Sequence, residues 1–260
     1  MSDAPLKTRL SAKESVVGTF ARIPSADLVE VMAHAGFDFV IIDTEHTAFG
    51  METAIDLVRA ADAAGIAPLV RVTENSPSII AKALDIGSQG VVVPRVSTRA
   101  DAERAVGAAR FHPLGQRGAC PRVRAGNYSA MGSIEYFAQA NERTLLILLV
   151  ETAEGAANLP GIAAVPGVDA IMLGATDLSQ SLGVPGDNYN PRVLARLAEM
   201  ESAVKDAGLV LGRVAFSEEE AREHLRRGAR FLVYSGDETI FYEACRAAVS
   251  AIRPGVAQGS

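Results

Sequence analysis

The sequence has no tryptophan, only two cysteines and only four lysines among its 260 residues. Cys120 and Cys245 form neither a CxxC pair nor a disulfide framework, so we expect a reduced, cytoplasmic enzyme. Aromatic residues make up 5% of the chain, which argues against an aromatic cage for a ligand. The longest strongly apolar run, LLILLV, is too short to cross a bilayer, and the start MSDAPLKTRL lacks the apolar core of a signal peptide.

Other classes are excluded by charge and by missing motifs. The net charge of −6 argues against a nucleic acid or an anionic membrane as the main partner. The four lysines (Lys7, Lys13, Lys82 and Lys205) all lie away from strand ends, so a Schiff-base mechanism, which needs a buried lysine at the site, is disfavoured. HExxH, GxSxG and cysteine-based metal clusters are also absent. The chemistry that remains is metal-assisted proton transfer next to a carbonyl group.

Short apolar runs alternate with amphipathic stretches along the whole chain. The runs are continuous and rich in Val, Ile and Leu, which is typical of parallel strands buried on both faces. Eight such strands are predicted, at 16–21, 37–43, 67–72, 90–96, 145–151, 170–176, 209–215 and 231–236.

The intervening stretches carry helix start and stop signals. Ser25 and Gly36 are placed to cap one helix, and Pro77 occupies the first position of another. Eight alternating β and α units predict an α/β fold of the (β/α)8 TIM barrel type, with a doubly wound open sheet as the alternative. Because no linker divides the chain, we expect one domain over 1–260, with a long loop at about 111–144.

Polar residues collect where the predicted strands end. In a (β/α)8 barrel the active site is built at the carboxyl ends of the strands, so these side chains are expected to converge on one mouth. They are Asp43, Glu45 and His46 after strand two, Arg71 at strand three, Glu151 at strand five and Asp177 after strand six, with Arg95 at strand four as a doubtful member.

Two of these residues, Glu151 and Asp177, come from successive strands and could share one hard cation. Two carboxylates completed by water and substrate oxygens are a usual arrangement for Mg²⁺ or Mn²⁺. Each residue alone is equally well explained as a helix cap or first-turn acid. The pair on neighbouring strands favours the metal.

The roles of Arg71 and His46 are less determined by the pattern. A buried arginine needs an anionic partner, and for Arg71 this is either a structural carboxylate or a substrate oxygen. His46 is the histidine expected at the mouth, where a base that titrates near neutral pH is useful. Asp85 is a candidate to orient His46 across the loop after strand three.

These residues stand in segments that resemble the HpcH/HpaI class II pyruvate aldolases over roughly residues 15 to 250. The segments include FDFVIIDTEH, PLVRV, ALDIGSQGVVVPRV, LLVETAEGAANL and VDAIMLGATDLSQSLG. The resemblance implies reversible retro-aldol cleavage of a 4-hydroxy-2-oxo acid into pyruvate and an aldehyde. It also implies a barrel of the phosphoenolpyruvate/pyruvate superfamily type and a divalent metal, Mg²⁺, Mn²⁺ or Co²⁺, held by Glu151 and Asp177.

The resemblance also implies roles for side chains and backbone groups that would contact the substrate. Arg71 would contact the keto oxygen and stabilise the enolate, and His46, oriented by Asp85, would exchange a proton with the C4 hydroxyl through water. Backbone N–H groups at Thr176 and Asp177 would receive the pyruvate carboxylate. Asp43 and Glu45 would support the site.

The chain departs from the family pattern in three places: the first concerns water near the metal, the second the turn before Asp177 and the third the substrate. Leu149 stands where the family often has glutamine, and GATDLS replaces GPADLS. The loop QRGACPRVRAGNYSAMG places Arg117, Arg122 and Arg124 either against a distal substrate carboxylate or among surface or intersubunit charges. The family forms hexamers with the last helix exchanged, so a homo-oligomer, a hexamer or trimer of dimers, is expected, with DETIFYEACRAAVSAI as that helix.

Two other functions stay open. A lyase for malyl- or citramalyl-type thioesters would need basic residues for the CoA tail, and only the 117–124 loop offers candidates. A non-catalytic barrel that binds a small acid is disfavoured because the catalytic positions of the resemblance are intact.

Overall fold

The computed structural model describes residues 4–253 as a closed barrel of eight parallel strands, in the order β1 to β8. This confirms the predicted (β/α)8 fold. The strands are β1 Val16–Ala21, β2 Phe39–Asp43, β3 Ala67–Arg71, β4 Gly90–Val93, β5 Leu145–Val150, β6 Ala170–Leu173, β7 Val210–Ala215 and β8 Phe231–Gly236.

Helices alternate with the strands and shield the outside of the barrel. Ser25 and Gly36 cap the second helix as predicted: the Ser25 side chain accepts a hydrogen bond from Leu28 N at 3.3 Å, and Gly36 takes a left-handed φ of 98°. The helices are α1 Leu6–Ser11, α2 Ala26–Ala35, α3 Met51–Ala64, α4 Pro77–Asp85, α5 Arg99–Ala109, α6 Ser133–Arg143, α7 Ala153–Ala163, α8 Ala175–Ser181, α9 Pro191–Asp206, α10 Glu218–Arg226 and α11 Asp237–Ile252.

Strand β4 is shorter than its apolar pattern predicted. The pattern ran to residue 96, but the strand ends at Val93. Pro94 has no N–H to donate to a neighbouring strand, and Arg95 adopts a left-handed φ of 55°. The chain therefore leaves the sheet early and turns at the carboxyl end of the barrel.

Two apolar layers hold the barrel together. The outer layer packs strand residues such as Val40 and Val91 against the helices, and the inner layer fills the barrel itself. Near the amino-terminal end of the strands, the rings of Phe39 and Phe231 stack with centroids 4.2 Å apart. This plug makes the barrel a packed core rather than a channel, so only its two ends are available for binding.

The long connection between α5 and β5 lies at the amino-terminal end of the barrel, away from the carboxyl ends of the strands. Helix α5 returns the chain to that end, and β5 starts from it. The connection is anchored by Arg110, which is almost fully buried, donates to the Thr144 carbonyl at 2.7 Å and pairs with Asp169 at 2.6 Å. No helix in the part of the chain from residue 4 to 253 has the length and hydropathy needed to cross a membrane.

Gly18 is required by the inner layer. A Cβ at this position would collide with both the ring and the carbonyl oxygen of Phe39. We therefore expect Gly18→Ala to lower the free energy of unfolding by about 3 kcal/mol, because the stacked Phe39 cannot move without displacing Phe231. Urea denaturation at neutral pH measures the change.

Gly107 in α5 is the matched control. A Cβ there has no neighbouring atom within 4 Å. Gly107→Ala should leave the stability unchanged or raise it by up to about 1 kcal/mol through helix propensity. Equal effects of the two substitutions would contradict the packing argument for Gly18.

Candidate active site

The carboxyl ends of the strands surround a cavity of about 690 Å³. It is lined by apolar side chains from inside the barrel, among them Phe20 and Met172, and by polar residues from the strand ends. The sequence-predicted residues that line it are His46, Arg71, Glu151, Thr176 and Asp177. The structure thus brings together the polar residues that were expected to converge.

Asp43 is the fully buried centre of this polar group. Its Oδ1 accepts from Arg71 Nε at 2.9 Å and its Oδ2 from Arg71 Nη2 at 2.5 Å, so the pair is bidentate. Oδ2 also accepts from Arg22 Nε at 2.9 Å, while Oδ1 accepts from the backbone N–H groups of Glu45 and His46. Asp43 therefore fixes both an arginine on the next strand and the loop that carries His46.

Arg22 was missed from the sequence, although it directly follows β1 and so shared the strand-end signal. Burial alone would raise the pKa of Asp43, but the hydrogen bonds and charges of Arg71, together with Arg22, outweigh this and lower it to about 2. Asp43 is a carboxylate at every physiological pH.

Arg71 is held on three sides. Besides Asp43, its Nε lies 3.4 Å from Glu45 Oε2, and its Cζ lies 4.7 Å from the centroid of the Phe20 ring. Arg22 lies over the same ring, also at 4.7 Å. Of the two partners considered for Arg71, the structure contains the structural carboxylate, and the same guanidinium still lines the cavity.

His46 is half exposed, at 53% of its side chain, on the rim of the cavity. Its Nε2 lies 3.8 Å from Glu45 Oε2. Burial raises the pKa of Glu45, and the nearby charge of Arg71 works against that rise. Glu45 is thus the carboxylate that the chain itself places beside His46.

Asp85 does not approach His46 within the chain, which corrects the expected dyad. It ends α4 at the amino-terminal side of the barrel, whereas His46 follows β2 at the opposite side. Its Oδ1 accepts from Arg117 Nη2 at 2.6 Å, and Arg117 also donates to the Tyr136 hydroxyl at 3.2 Å. A helix that follows a barrel strand returns the chain to the other end of the barrel, so Asp85 at the end of α4 lies far from the mouth.

The three loop arginines lie at the same remote end. Arg117 is buried against Asp85, and Arg124 pairs with Asp62 at 2.6 Å and donates to the Ile86 carbonyl at 3.3 Å. Arg122 is exposed on the same connection. None of these three lines the cavity at the mouth of the same chain, so the expected contact with a distal carboxylate is not made there.

Glu151 and Asp177 are neighbours at the ends of β5 and β6. Glu151 is buried, and its Oε1 accepts from the backbone N–H of Arg95 at 2.9 Å. A Cβ at Gly174 would lie 2.8 Å from Glu151 Oε2, so the glycine provides the room for this carboxylate. Arg95, the doubtful member, thus contributes its backbone N–H as a hydrogen-bond donor to Glu151, while its side chain is 70% exposed.

Burial raises the pKa of Glu151 to about 7, the Arg95 N–H opposes the rise, and the charge of Asp177 adds to it. Two carboxylates that repel each other in a buried setting are what a divalent cation would neutralise. Among residues 4–253 there is no cluster of three or more His, Cys, Asp or Glu side chains suited to a metal. The donor set fits a hard cation that takes its remaining ligands from water and substrate.

Thr176 lies in the first turn of α8, and its hydroxyl accepts from Asn188 Nδ2 at 3.1 Å. Asn188 and the exposed Tyr189 belong to the loop before α9 and also line the cavity. Asn188 and Tyr189 could not be predicted as site residues, because a polar loop that does not directly follow a strand carries no pattern that places it at the mouth.

The lowered pKa of Asp43 gives a test of the ion pair. Its ordinary value is 3.8 and its folded value about 2, so the stabilisation is complete above pH 4 and is lost as the pH falls towards 2. Between about pH 6 and pH 3, wild type should lose about 1 kcal/mol more unfolding free energy than Asp43→Asn. Urea titrations of both proteins at the two pH values measure this.

Asp56→Asn is the control for that measurement. Asp56 is two-thirds exposed on α3 and pairs only with Arg59, three residues on. Its replacement should leave the pH dependence of wild type intact. An Asp43→Asn protein with the same pH dependence as wild type would contradict the assignment of Asp43 as the buried partner of two arginines.

Known proteins share this sequence pattern and this barrel. The family model HpcH/HpaI aldolase/citrate lyase matches residues 17–244. The 5-keto-4-deoxy-D-glucarate aldolase of Escherichia coli O6:H1 strain CFT073 is 34% identical over 238 residues, which is 92% of each chain.

Solved structures agree. An HpcH/HpaI aldolase/citrate lyase family protein from Burkholderia cenocepacia J2315 superposes with a TM-score of 0.91 at 34% identity, covering 95% of this chain and 98% of that one. The citrate synthase SbnG superposes with a TM-score of 0.87, also at 34% identity, covering 95% and 97%. The chain therefore belongs to the HpcH/HpaI aldolase/citrate lyase family and is a carbon–carbon lyase of the aldolase type.

Proposed function

We propose that this protein is a divalent-metal-dependent pyruvate aldolase, which reversibly cleaves a 4-hydroxy-2-oxo acid into pyruvate and an aldehyde. The observation that carries the proposal is the cavity in which the Asp43-bound Arg71 and the two facing carboxylates, Glu151 and Asp177, meet at one barrel end. This set joins a fixed cation to a metal-suited carboxylate pair, which is what an enolate intermediate requires.

Glu151 and Asp177 would hold the metal, either Mg²⁺, Mn²⁺ or Co²⁺. When bound, the metal would supply a Lewis acid for the carboxylate and keto oxygens of pyruvate. Gly174 and the Arg95 N–H keep the Glu151 carboxylate in place for this task. Leu149, where the family often has glutamine, lines the same cavity and offers no polar atom to a metal-bound water.

Arg71 would donate hydrogen bonds to the oxygen that becomes the enolate. Charge develops on that oxygen during cleavage, and a donor that is already fixed stabilises it without reorganisation. Asp43 provides the fixation, since its bidentate grip and the Phe20 ring leave the guanidinium one orientation. Backbone N–H groups of Thr176 and Asp177 would receive the pyruvate carboxylate.

His46 would move the proton of the C4 hydroxyl, through water. Its exposure on the rim gives it access to both water and substrate. Asp85, expected to orient it, lies at the far end of the same chain, so Glu45 is the carboxylate that supports His46 among the residues described here.

The alternatives are weaker on the same observations. The thioester lyase needed the 117–124 loop for a CoA tail, and that loop lies at the other end of the chain's own barrel. The non-catalytic barrel leaves the Asp43–Arg71 pair and the carboxylate pair without a purpose.

We also propose a homo-oligomer, a hexamer or trimer of dimers with α11 exchanged between subunits. The support is the exposure of α11, whose large apolar side chains point to solvent: Phe241, Tyr242, Val249 and Ile252. Apolar surface of this extent on one helix is typical of an interface. Light scattering of the purified protein measures the assembly, and a monomer at micromolar concentration would contradict it.

Pyruvate methyl exchange tests the proposed reaction. In D₂O with Mg²⁺, Mn²⁺ or Co²⁺, the protein should catalyse deuterium incorporation into pyruvate, because forming the enolate is the partial reaction that needs no aldehyde. EDTA should abolish the exchange. The measurement is the loss of the methyl signal by proton NMR, and absence of exchange with every metal would refute the aldolase.

Glu151→Gln tests whether the Glu151 carboxylate holds the metal. We expect at least a hundredfold loss of exchange at a metal concentration that saturates wild type, since one of two anionic ligands is lost. Glu154→Gln, an exposed acid three residues on in α7, is the matched control and should retain wild-type exchange. Similar losses in both variants would contradict the metal assignment.

His46→Ala should lower aldol cleavage by about 10²- to 10⁴-fold, the usual contribution of a general acid–base residue. His34→Ala, an exposed histidine on α2, is the control and should cleave at the wild-type rate. The assay couples released pyruvate to lactate dehydrogenase. Cleavage by His46→Ala within threefold of wild type would remove His46 from the mechanism.

A further inference from the structure

The Asp43 carboxylate is saturated with hydrogen-bond donors. Its Oδ1 accepts from Arg71 Nε and from the backbone N–H groups of Glu45 and His46. Its Oδ2 accepts from Arg71 Nη2 and from Arg22 Nε. A carboxylate offers about four lone-pair sites, and these donors already fill them. A further donor can therefore bind Asp43 only by displacing one that is already there.

Two arginines draw on the same oxygen of Asp43. Arg22 and Arg71 lie over the same Phe20 ring, each 4.7 Å from its centroid, and both donate to Asp43 Oδ2. Arg71 binds the carboxylate with two nitrogen atoms, whereas Arg22 binds it with Nε alone. The bidentate contact is the stronger form of an arginine–carboxylate pair. The bidentate place is kept for Arg71 only as long as Arg22 is restrained.

Glu238, in the first turn of α11, supplies this restraint. Its Oε1 accepts from Arg22 Nη1 at 2.7 Å, so this nitrogen is engaged away from Asp43 while Nε stays on Asp43. Oε1 also accepts from the Thr239 hydroxyl at 3.3 Å, and Oε2 is buried without a hydrogen-bond partner. Burial raises the pKa of Glu238, but the hydrogen bond from Arg22 leads the opposing contributions, which lower the pKa overall. Glu238 is thus a charged partner of Arg22.

The neighbouring residue Asp237 fixes the start of α11 to the same arginine. Its carboxylate is buried and accepts from the backbone N–H groups of Arg22 and Ile23, at 2.9 and 3.0 Å. Consecutive residues of α11 therefore hold Arg22 by its main chain and by its side chain. The guanidinium of Arg22 can shift only if its bond with Glu238 breaks.

The consequence for catalysis rests on the proposed function, in which Arg71 donates to the oxygen that becomes the enolate. If a second nitrogen of Arg22 bound Asp43, it would displace a donor of Arg71, and the Arg71 guanidinium would turn. Misplacement of a catalytic group by about 1 Å can cost about a hundredfold in rate. Glu238 does not line the cavity that Arg71 faces, so its effect on the reaction has to pass through Arg22.

We propose that Glu238 is a positioning residue for the reaction: by holding Arg22, it reserves the bidentate place on Asp43 for Arg71. The last helix of the chain is thereby connected to the enolate-stabilising cation. The connection runs from Glu238 to Arg22, from Arg22 to Asp43 and from Asp43 to Arg71.

Glu238→Ala should release Arg22 to compete for Asp43. We expect the kcat of pyruvate methyl exchange to fall about thirtyfold and the KM for pyruvate to change by less than about threefold, because Arg71 acts mainly on the charge that develops in the transition state. Mn²⁺ affinity, measured by electron paramagnetic resonance, should stay at the wild-type value, since both metal-binding carboxylates are retained.

Two further variants separate the Arg22 contact from other effects of the substitution. Glu243→Ala is the matched control on the same helix, because Glu243 is exposed and pairs with Arg246 at 3.8 Å; it should exchange at the wild-type rate. Glu238→Asp keeps a charge at the helix start but is one methylene shorter than the reach to Arg22 requires. It should reproduce the loss of kcat and carries the test if Glu238→Ala does not fold.

Removal of Arg22 should suppress the Glu238→Ala defect, which is the signature of competition. Arg22→Gln alone should lose about threefold in kcat, because Asp43 keeps Arg71 and loses one charged partner. The double variant Arg22→Gln/Glu238→Ala should exchange at the rate of Arg22→Gln, about tenfold faster than Glu238→Ala. If Glu238 only supported the fold, independently of Arg22, the two losses would multiply instead.

The outcomes distinguish the positioning role from the proposed function. A wild-type protein that fails to exchange the pyruvate methyl protons refutes the aldolase itself. If wild type exchanges them, the positioning role of Glu238 is refuted by a Glu238→Ala protein within about threefold of the wild-type kcat, by a loss that appears mainly in KM, or by a double variant whose losses multiply. In each of these cases the aldolase stands.

Discussion

The site depends on one buried carboxylate that is shared by two arginines. Asp43 is fully buried at the end of β2 and binds Arg71 of β3 and Arg22 beyond β1, so it ties three neighbouring strands together at the mouth. A buried ion pair costs desolvation and seldom adds much net stability. Its value here is orientation. Removing the carboxylate would leave two cations facing each other across the Phe20 ring.

The two ends of the barrel differ in the residues that line them and in what those residues do. At the amino-terminal end, stacked Phe39 and Phe231 and the buried Arg110–Asp169 pair close the core and anchor the long connection. At the carboxyl end, carboxylates and arginines face a cavity, and burial raises the pKa of Glu151 to about 7. Stability is concentrated at one end and reactivity at the other, as is usual in this fold.

The fold and the polar residues at the carboxyl ends of the strands could be predicted because each rests on a local sequence pattern. Continuous apolar runs gave the strands, and polar residues at their carboxyl ends gave Asp43, Arg71, Glu151 and Asp177. The positions of the other expected site residues could not be predicted in the same way. Asp85 was expected beside His46 at the mouth, and a contact with a distal substrate carboxylate was one of the positions open to Arg117. A helix returns the chain to the far end of the barrel before either residue is reached. Arg22 directly follows β1 and so carried the same strand-end signal, but its partners Asp43 and Glu238 come from other parts of the chain.

Helix α11 connects the surface of the molecule to the mouth. Most of its length is exposed, yet its first residue is buried: the Asp237 carboxylate accepts from the backbone N–H groups of Arg22 and Ile23, at 2.9 and 3.0 Å. The next residue, Glu238, holds the Arg22 side chain. The turn after β1 is therefore fastened to the end of the helix that carries the exposed apolar face. A partner that covered this face would therefore also restrain the turn after β1 at the mouth of the barrel.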